Sequence, residues 1–220
     1  MAFEWIRTDE IDFNMAARIE GFNLGMYEDY PKEVQETIKS RTINRIIKTL
    51  DYEWENKVYN HPNKNRFSSK FSDVKRGIYV LSLSSGFAIE YPKGVSNVIY
   101  IGKGSSRGRI KSHLKTSLFD LYRSLNGVNF RFHFSEPKKQ KSPQYYEDVE
   151  TDLLNEFREI YGDDDELRYP ILNYNSGRQH NKAHDHGKNW KAPLKNSGSK
   201  FNWEIRPTRK SGWPKKLRDG

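Results

Sequence analysis

The spacing of apolar residues along the 220-residue chain changes character three times. Near the start, Val34, Ile38, Ile46, Ile47 and Leu50 follow Tyr30-Pro31 at mostly helical spacing, with a proline well placed to open the helix. A polar run from Asn60 to Lys70, broken by Pro62, ends that pattern as a loop or linker. The period then shortens. Gly77 to Leu83 and Asn97 to Gly102 are brief and rich in Ile, Val and Tyr, and with the turn-like Tyr91-Pro92-Lys93-Gly94 between them they are expected to pair as antiparallel strands. Ile110, Leu114, Leu118 and Leu121 mark a helix from about Ser106 to Leu125. Val128, Phe130, Phe132 and Phe134 alternate as a third strand that Pro137 stops, and Ser142-Pro143 opens a second helix running to about Tyr161. The order is β-β-α-β-α, an α+β core.

Three units are expected from these shifts: an N-terminal, mostly helical extension (1–70), the core (71–175) and a C-terminal extension (176–220). After Asn173 the chain becomes rich in Asn, Gly, Lys and Trp, with one weak strand candidate at 201–205 and no internal repeat.

Charged residues make up 30% of the chain and mean hydropathy is −0.95, yet 14% is aromatic, which favours a folded protein over a disordered polymer. No apolar run reaches membrane-spanning length, and Met1 to Glu10 lacks the basic-then-apolar layout of a secretory signal. A soluble, intracellular, cytoplasmic protein without a membrane partner is expected. The absence of cysteine excludes disulfides and thiolate zinc sites. From Tyr174 onward twelve Lys or Arg face three Asp or Glu, which accounts for the whole formal charge of +9. A basic tail is drawn to phosphate backbones by counterion release, or is simply a solvated tail.

On the helix 143–161, at about 100° per residue from Val149, the apolar residues Ile160, Leu153, Tyr146, Phe157 and Leu154 span an arc out to about 140°. Glu150 falls inside it, at about 100°, whereas Glu147, Asp148, Asp152, Glu156 and Glu159 fall outside. A carboxylate on a core-facing stripe must be paired, protonated or bound to a cation, and a structural pairing with a nearby Arg is the plainer of these outcomes. Arg109 and His113, four residues apart, share one face of the preceding helix, and Lys111 and Lys115 line its other edge. The turn Gly102-Lys103-Gly104-Ser105-Ser106 leads from strand to helix, where backbone N–H groups can meet a phosphate.

Gly77-Ile78-Tyr79 opens the first strand and Tyr100-Ile101-Gly102 closes the second; followed by Lys103, Arg109, His113, Glu150 and Pro170-Ile171-Leu172-Asn173, this series resembles the GIY-YIG nuclease family. The resemblance covers residues 77–173. It implies a small three-stranded antiparallel sheet flanked by helices, and a site built from Tyr79, Tyr100, Arg109, His113, Glu150 and Asn173, with Lys103 and Gly102 binding phosphate. Two departures accompany it: the tyrosines stand 21 residues apart, and an acidic stretch, Gly162 to Glu166, intervenes before Asn173. Asn155 and Asn175 therefore compete with Asn173, and Glu147 competes with Glu150.

The resemblance implies a DNA endonuclease in which Glu150 holds one Mg²⁺ or Mn²⁺, Arg109 clamps the scissile phosphate through its planar fork, and Lys103 adds charge. Tyr79, Tyr100 and His113 all remain open as general base, with a tyrosine favoured. Asn173 is expected to position the sheet edge or a site residue through its amide. A restriction-type enzyme is the expected form, ahead of homing or repair types and of an inactive nucleic-acid-binding relative. DNA is the expected partner, with a homodimer where both strands are cut. His180, His184 and His186 have ligand-like spacing, but solvated histidines in a basic loop are the default. Trp190, Trp203 and Trp213 suit either stacking on nucleic acid or anchoring the tail.

Overall fold

The computed structural model describes residues 3–84, 86–125, 128–138, 142–163, 169–173, 186–195 and 201–206. In chain order the elements are β1 (Ile6–Arg7), α1 (Phe13–Ile19), α2 (Lys32–Tyr59), β2 (Gly77–Leu83), β3 (Phe87–Tyr91), β4 (Gly94–Ser96), β5 (Val98–Gly104) and α3 (Ser106–His113). A single π turn (Leu114–Leu118) continues α3 into α4 (Phe119–Ser124), and β6 (Phe130–Ser135), α5 (Tyr145–Ile160) and β7 (Trp203–Ile205) follow.

The three strands expected from the sequence pair antiparallel with β2 in the middle, but they are not the whole architecture. The two-residue β1 adds to β6 through Ile6 opposite Phe134, giving a four-stranded sheet ordered β1-β6-β2-β5. A second sheet, β4-β3-β7, contains a parallel pair of β3 with β7. The expectation of a single three-stranded sheet is thus corrected. Both additions are long-range pairings of strands too short to establish a period.

Alternation along β2 decides what each face of the main sheet packs against. Tyr79, Leu81 and Leu83 stand opposite Phe134, Phe132 and Phe130 on β6 and share their face. That face is covered from the N-terminal side: Trp54 of α2 meets Phe71 and Phe134, and Phe13 of α1 stacks on Tyr122 and touches Phe130. Ile38, Ile46, Ile47 and Leu50, read as a helical stripe, are all buried. The N-terminal extension therefore belongs to the same hydrophobic core as the strands. Burying Trp54 completely contributes roughly 1.5–3 kcal/mol or more relative to an exposed ring. The opposite face of the sheet is covered by α5, which packs on β5 and β2.

One expectation for α5 is corrected. Asp152, placed outside the apolar arc, is completely buried, while Ile160, placed inside it, is 40% exposed. The cause lies far along the chain: the segment 186–195 lies on the side of α5 away from the arc. His186 bridges Tyr145 at 2.9 Å and Asp152 at 2.7 Å, Lys191 pairs with Glu156, and the Tyr161 hydroxyl donates to the Leu194 carbonyl. On its other side Phe3 N–H donates to the Lys188 carbonyl and the Trp5 indole to the Asn189 and Trp190 carbonyls. Trp190, with its ring against His186, is buried here as an anchor, and Trp203 is exposed. His186 is a packed, hydrogen-bonded residue, not a solvated one; His180, His184 and Trp213 lie outside the described residues.

Candidate functional site

The site is assembled at the end of β5, the outer strand of the four-stranded sheet. Gly77 faces Gly104 and Tyr79 faces Gly102 across the β2-β5 pair, and a register shift between Leu81 and Ser82 follows. Tyr100, two residues before Gly102, therefore projects to the same side of the sheet as Tyr79. The two rings stack with centroids 5.7 Å apart and planes 24° from parallel. Gly102 is what lets them do so. A methyl group at that position would lie 2.4 Å from Cε1 of Tyr100 and 2.7 Å from Cζ and the hydroxyl of Tyr79, inside van der Waals contact. A glycine is needed at 77 for a related reason, since a methyl there would meet Oγ of Ser106 at 2.4 Å, blocking the approach of α3 to the start of β2.

Helix α3 supplies the next two groups. His113 lies with its ring centroid 4.3 Å from that of Tyr100 and 6.3 Å from that of Tyr79, at the junction with the π turn. Such turns interrupt the regular ladder and recur at functional sites. Arg109, one turn earlier, is exposed, and among the described residues no carboxylate makes an ion pair with it. Its neighbours are the two phenols, on which its charge acts.

Residues on the other face of the sheet complete the arrangement around the edge of β5. Lys103 follows Gly102 and so turns toward α5, where its Nζ lies 3.2 Å from Oε2 of Glu150 and 3.7 Å from Oε2 of Glu147. Glu150 keeps only 13% of its side chain exposed, against 23% for Glu147, in keeping with their positions relative to the apolar arc. Glu147 is further committed to the Tyr146 hydroxyl at 3.1 Å. Oε2 of Glu150, by contrast, is buried without a hydrogen bond of good geometry despite the nearby ammonium. Oη of Tyr79 and Nε2 of His113 are likewise buried and unpartnered. Three orphaned polar atoms in one neighbourhood are unusual, because each carries a desolvation penalty.

Burial controls the protonation of the cluster. It pushes the Tyr79 phenol well above its ordinary value, Tyr100 adds to this, and Arg109 opposes it. Tyr100 is raised by burial too, with Tyr79 and Arg109 opposing and Glu150 adding. His113 is lowered to about 4 by burial and then by the charge of Arg109, so its imidazole is neutral near pH 7. The Glu150 carboxyl is raised by burial, an effect that Lys103 opposes, Glu147 reinforces and Arg109 opposes.

Asn173 has a different part. Its Oδ1 accepts from Ile101 N–H at 2.9 Å and its Nδ2 donates to the Ile101 carbonyl at 2.7 Å, while Leu172 N–H donates to the Ile99 carbonyl. A side-chain amide thus imitates the missing neighbour of an edge strand, satisfying groups that would otherwise be bare. With Oδ1 and Nδ2 both bonded to Ile101, Asn173 braces the strand between Tyr100 and Gly102. Asn155 is buried within α5, and Asn175 lies outside the described residues.

Comparison with protein-family models, curated proteins and solved structures returned no match.

The chemistry of the site therefore rests on its own geometry. It brings two phenols, a neutral imidazole, an uncompensated guanidinium, an ammonium and a largely buried carboxylate to one end of a sheet. The packed position of His186 was not legible in the sequence; its partners Tyr145 and Asp152 lie more than thirty residues earlier, on the side of α5 away from the apolar arc.

Proposed function

We propose that the protein is a divalent-metal-dependent DNA endonuclease of the GIY-YIG type, with restriction-type cleavage as its form. The observation that carries this reading is the convergence of Tyr79, Tyr100, Arg109 and His113 with Lys103 and Glu150 at the open end of β5. Phosphodiester hydrolysis needs an activated water, positive charge for the developing pentacovalent phosphorus and stabilisation of the leaving oxygen. Those needs match the groups present.

Glu150 is the residue that would hold the metal. Its buried Oε2, whose neighbour is the Lys103 ammonium at 3.2 Å, is a suitable hard donor, and among the described residues there is no cluster of three or more His, Asp or Glu. A donor set of one protein carboxylate suits Mg²⁺ or Mn²⁺, which retain waters and take substrate phosphate oxygens for their remaining positions. When bound, such an ion supplies Lewis-acid charge to the phosphate and leaving oxygens. Arg109, exposed and beside the two phenols rather than a carboxylate, grips two non-bridging oxygens through its fork. Lys103 adds a second positive charge. Tyr79, held protonated by burial, acts as a hydrogen-bond donor. Tyr100 and the neutral His113 form the pair that orients the water and removes its proton, His113 being the member with an unprotonated nitrogen near pH 7.

One such site per chain cuts one strand, so a homodimer on DNA is the expected form for double-strand cleavage, and a monomeric mass on cut duplex would contradict it. The test of function is incubation of mixed plasmid and genomic DNA with Mg²⁺, with EDTA, and with Glu150→Ala. Discrete fragments only for the wild type with Mg²⁺ are expected; intact DNA in all three would overturn the reading.

A further inference from the structure

Beside the candidate site lies a cleft of about 510 Å³ whose walls carry Lys75, Arg76 and Lys138 on one hand and Asp73 and Glu136 on the other. The two carboxylates make their hydrogen bonds to serines, and among the described residues neither forms an ion pair with these cations. Glu136 accepts from the backbone N–H and the hydroxyl of Ser68, tying the loop before β2 to the end of β6. Asp73 accepts from the Ser72 hydroxyl, and Lys75 donates to the Ser72 carbonyl at 2.8 Å. Arg76 and Lys138 are exposed, and among the described residues neither has an ion-pair partner. With three basic and two acidic side chains the cleft keeps a net positive charge, which favours an anion beside Arg76 and Lys138.

The cleft is linked to the site through Arg76, which lines it. Arg76 directly precedes Gly77, whose partner across the sheet is Gly104, next to Lys103. The charge of Arg76 acts on the Tyr146 hydroxyl, which bonds Glu147, which in turn pairs with Lys103. Arg76 and Lys103 thus stand at the two ends of one short relay of contacts, the first in the cleft and the second in the site.

We infer that the cleft is a second anion subsite, in which Arg76 and Lys138 take a non-scissile phosphate of the same DNA strand; this rests on the nuclease reading. A nucleic-acid backbone is the occupant that presents anions at regular intervals to two neighbouring cationic sites, and Arg76 offers the planar donor fork suited to phosphate. The subsite fixes the register of the strand and carries no sequence information of its own.

The test uses the full chain with a fluorescent random-sequence duplex in EDTA, titrated between roughly 50 and 200 mM salt. Each phosphate neutralised contributes a slope of about −0.9 in log affinity against log salt, so the double variant Arg76→Ala/Lys138→Ala, which empties a subsite for one phosphate, is expected to lose about 0.9 of that slope. Lys32→Ala/Lys48→Ala, two exposed α2 lysines that line neither cleft nor site, should leave it unchanged. An unchanged slope in the cleft variant, an equal loss in the control, or no salt dependence in the wild type overturns the subsite. Plasmid cleavage by the wild type, measured alongside with Mg²⁺, tells those outcomes apart from failure of the nuclease reading itself.

Discussion

The imidazole of His113 lies against the ring of Tyr100, 4.3 Å between centroids, and that contact keeps the histidine in a desolvated environment. Burial, with Arg109 nearby, lowers its pKa to about 4. An unfolded chain protonates the same residue near about 6.5. Between these values the unfolded state binds more protons, so stability is complete above about 6.5 and is lost as pH falls through the window toward 4. His133, on β6, adds in the same direction, lowered to about 3 by burial and then by Arg7 and Arg131. Urea denaturation across pH should show a decline that is shallower in His113→Gln, and the His113 ring resonances should titrate far below pH 6. A His113 titrating near 6.5 would remove the neutral imidazole from the account.

Gly102→Ala places a methyl group into both tyrosine rings. Overpacking of this kind costs about 1–3 kcal/mol, and here the rings must part to relieve it. The variant should fold, with a lower melting temperature, and lose DNA cleavage far more than DNA binding. Wild-type activity in Gly102→Ala would show that the stacked pair is dispensable.

Asn173→Ala leaves the buried N–H and C=O of Ile101 without partners. At about 1–3 kcal/mol for each of the two stranded groups, a loss of about 2–6 kcal/mol is expected in urea denaturation. Because Asn173 braces the strand through Ile101, activity per folded molecule should fall less than in a variant of Arg109. Equal activity losses with unchanged stability would reverse that assignment.

Arg109→Lys retains the charge and removes the fork. Cleavage should drop by about tenfold to a hundredfold, equivalent to about 1.4–2.7 kcal/mol of barrier, while affinity for DNA in EDTA changes little. Single-turnover rates and anisotropy titrations separate the two quantities.

What could be read in the sequence was whatever depends on neighbours along the chain. The Ile-, Val- and Tyr-rich composition of Gly77–Leu83, the alternation of Phe130–Phe134, the stripe through Ile110 and Leu114, and the inward placement of Glu150 are all local features, and the structure puts those residues in strands, a helix and a half-buried position. Contacts that close over long separations left no period to read. The two-residue β1, the β3-β7 pair and the segment 186–195 on α5 are of this kind, and they decide why Asp152 and His186 are buried. Within the site, the paired tyrosines were legible as motifs, but the engagement of Asn173 with Ile101 and the orphaned atoms of Tyr79, His113 and Glu150 depend on three-dimensional packing alone.

The most direct measurement is single-turnover plasmid cleavage by Glu150→Gln, a change that keeps the side chain's size and removes its charge, with DNA affinity followed in parallel. The account predicts that the variant binds DNA as the wild type does and leaves it uncut in Mg²⁺, while the wild type converts it to nicked or linear product. A variant that cuts at the wild-type rate would contradict the assignment of this carboxylate, and with it the site at the end of β5.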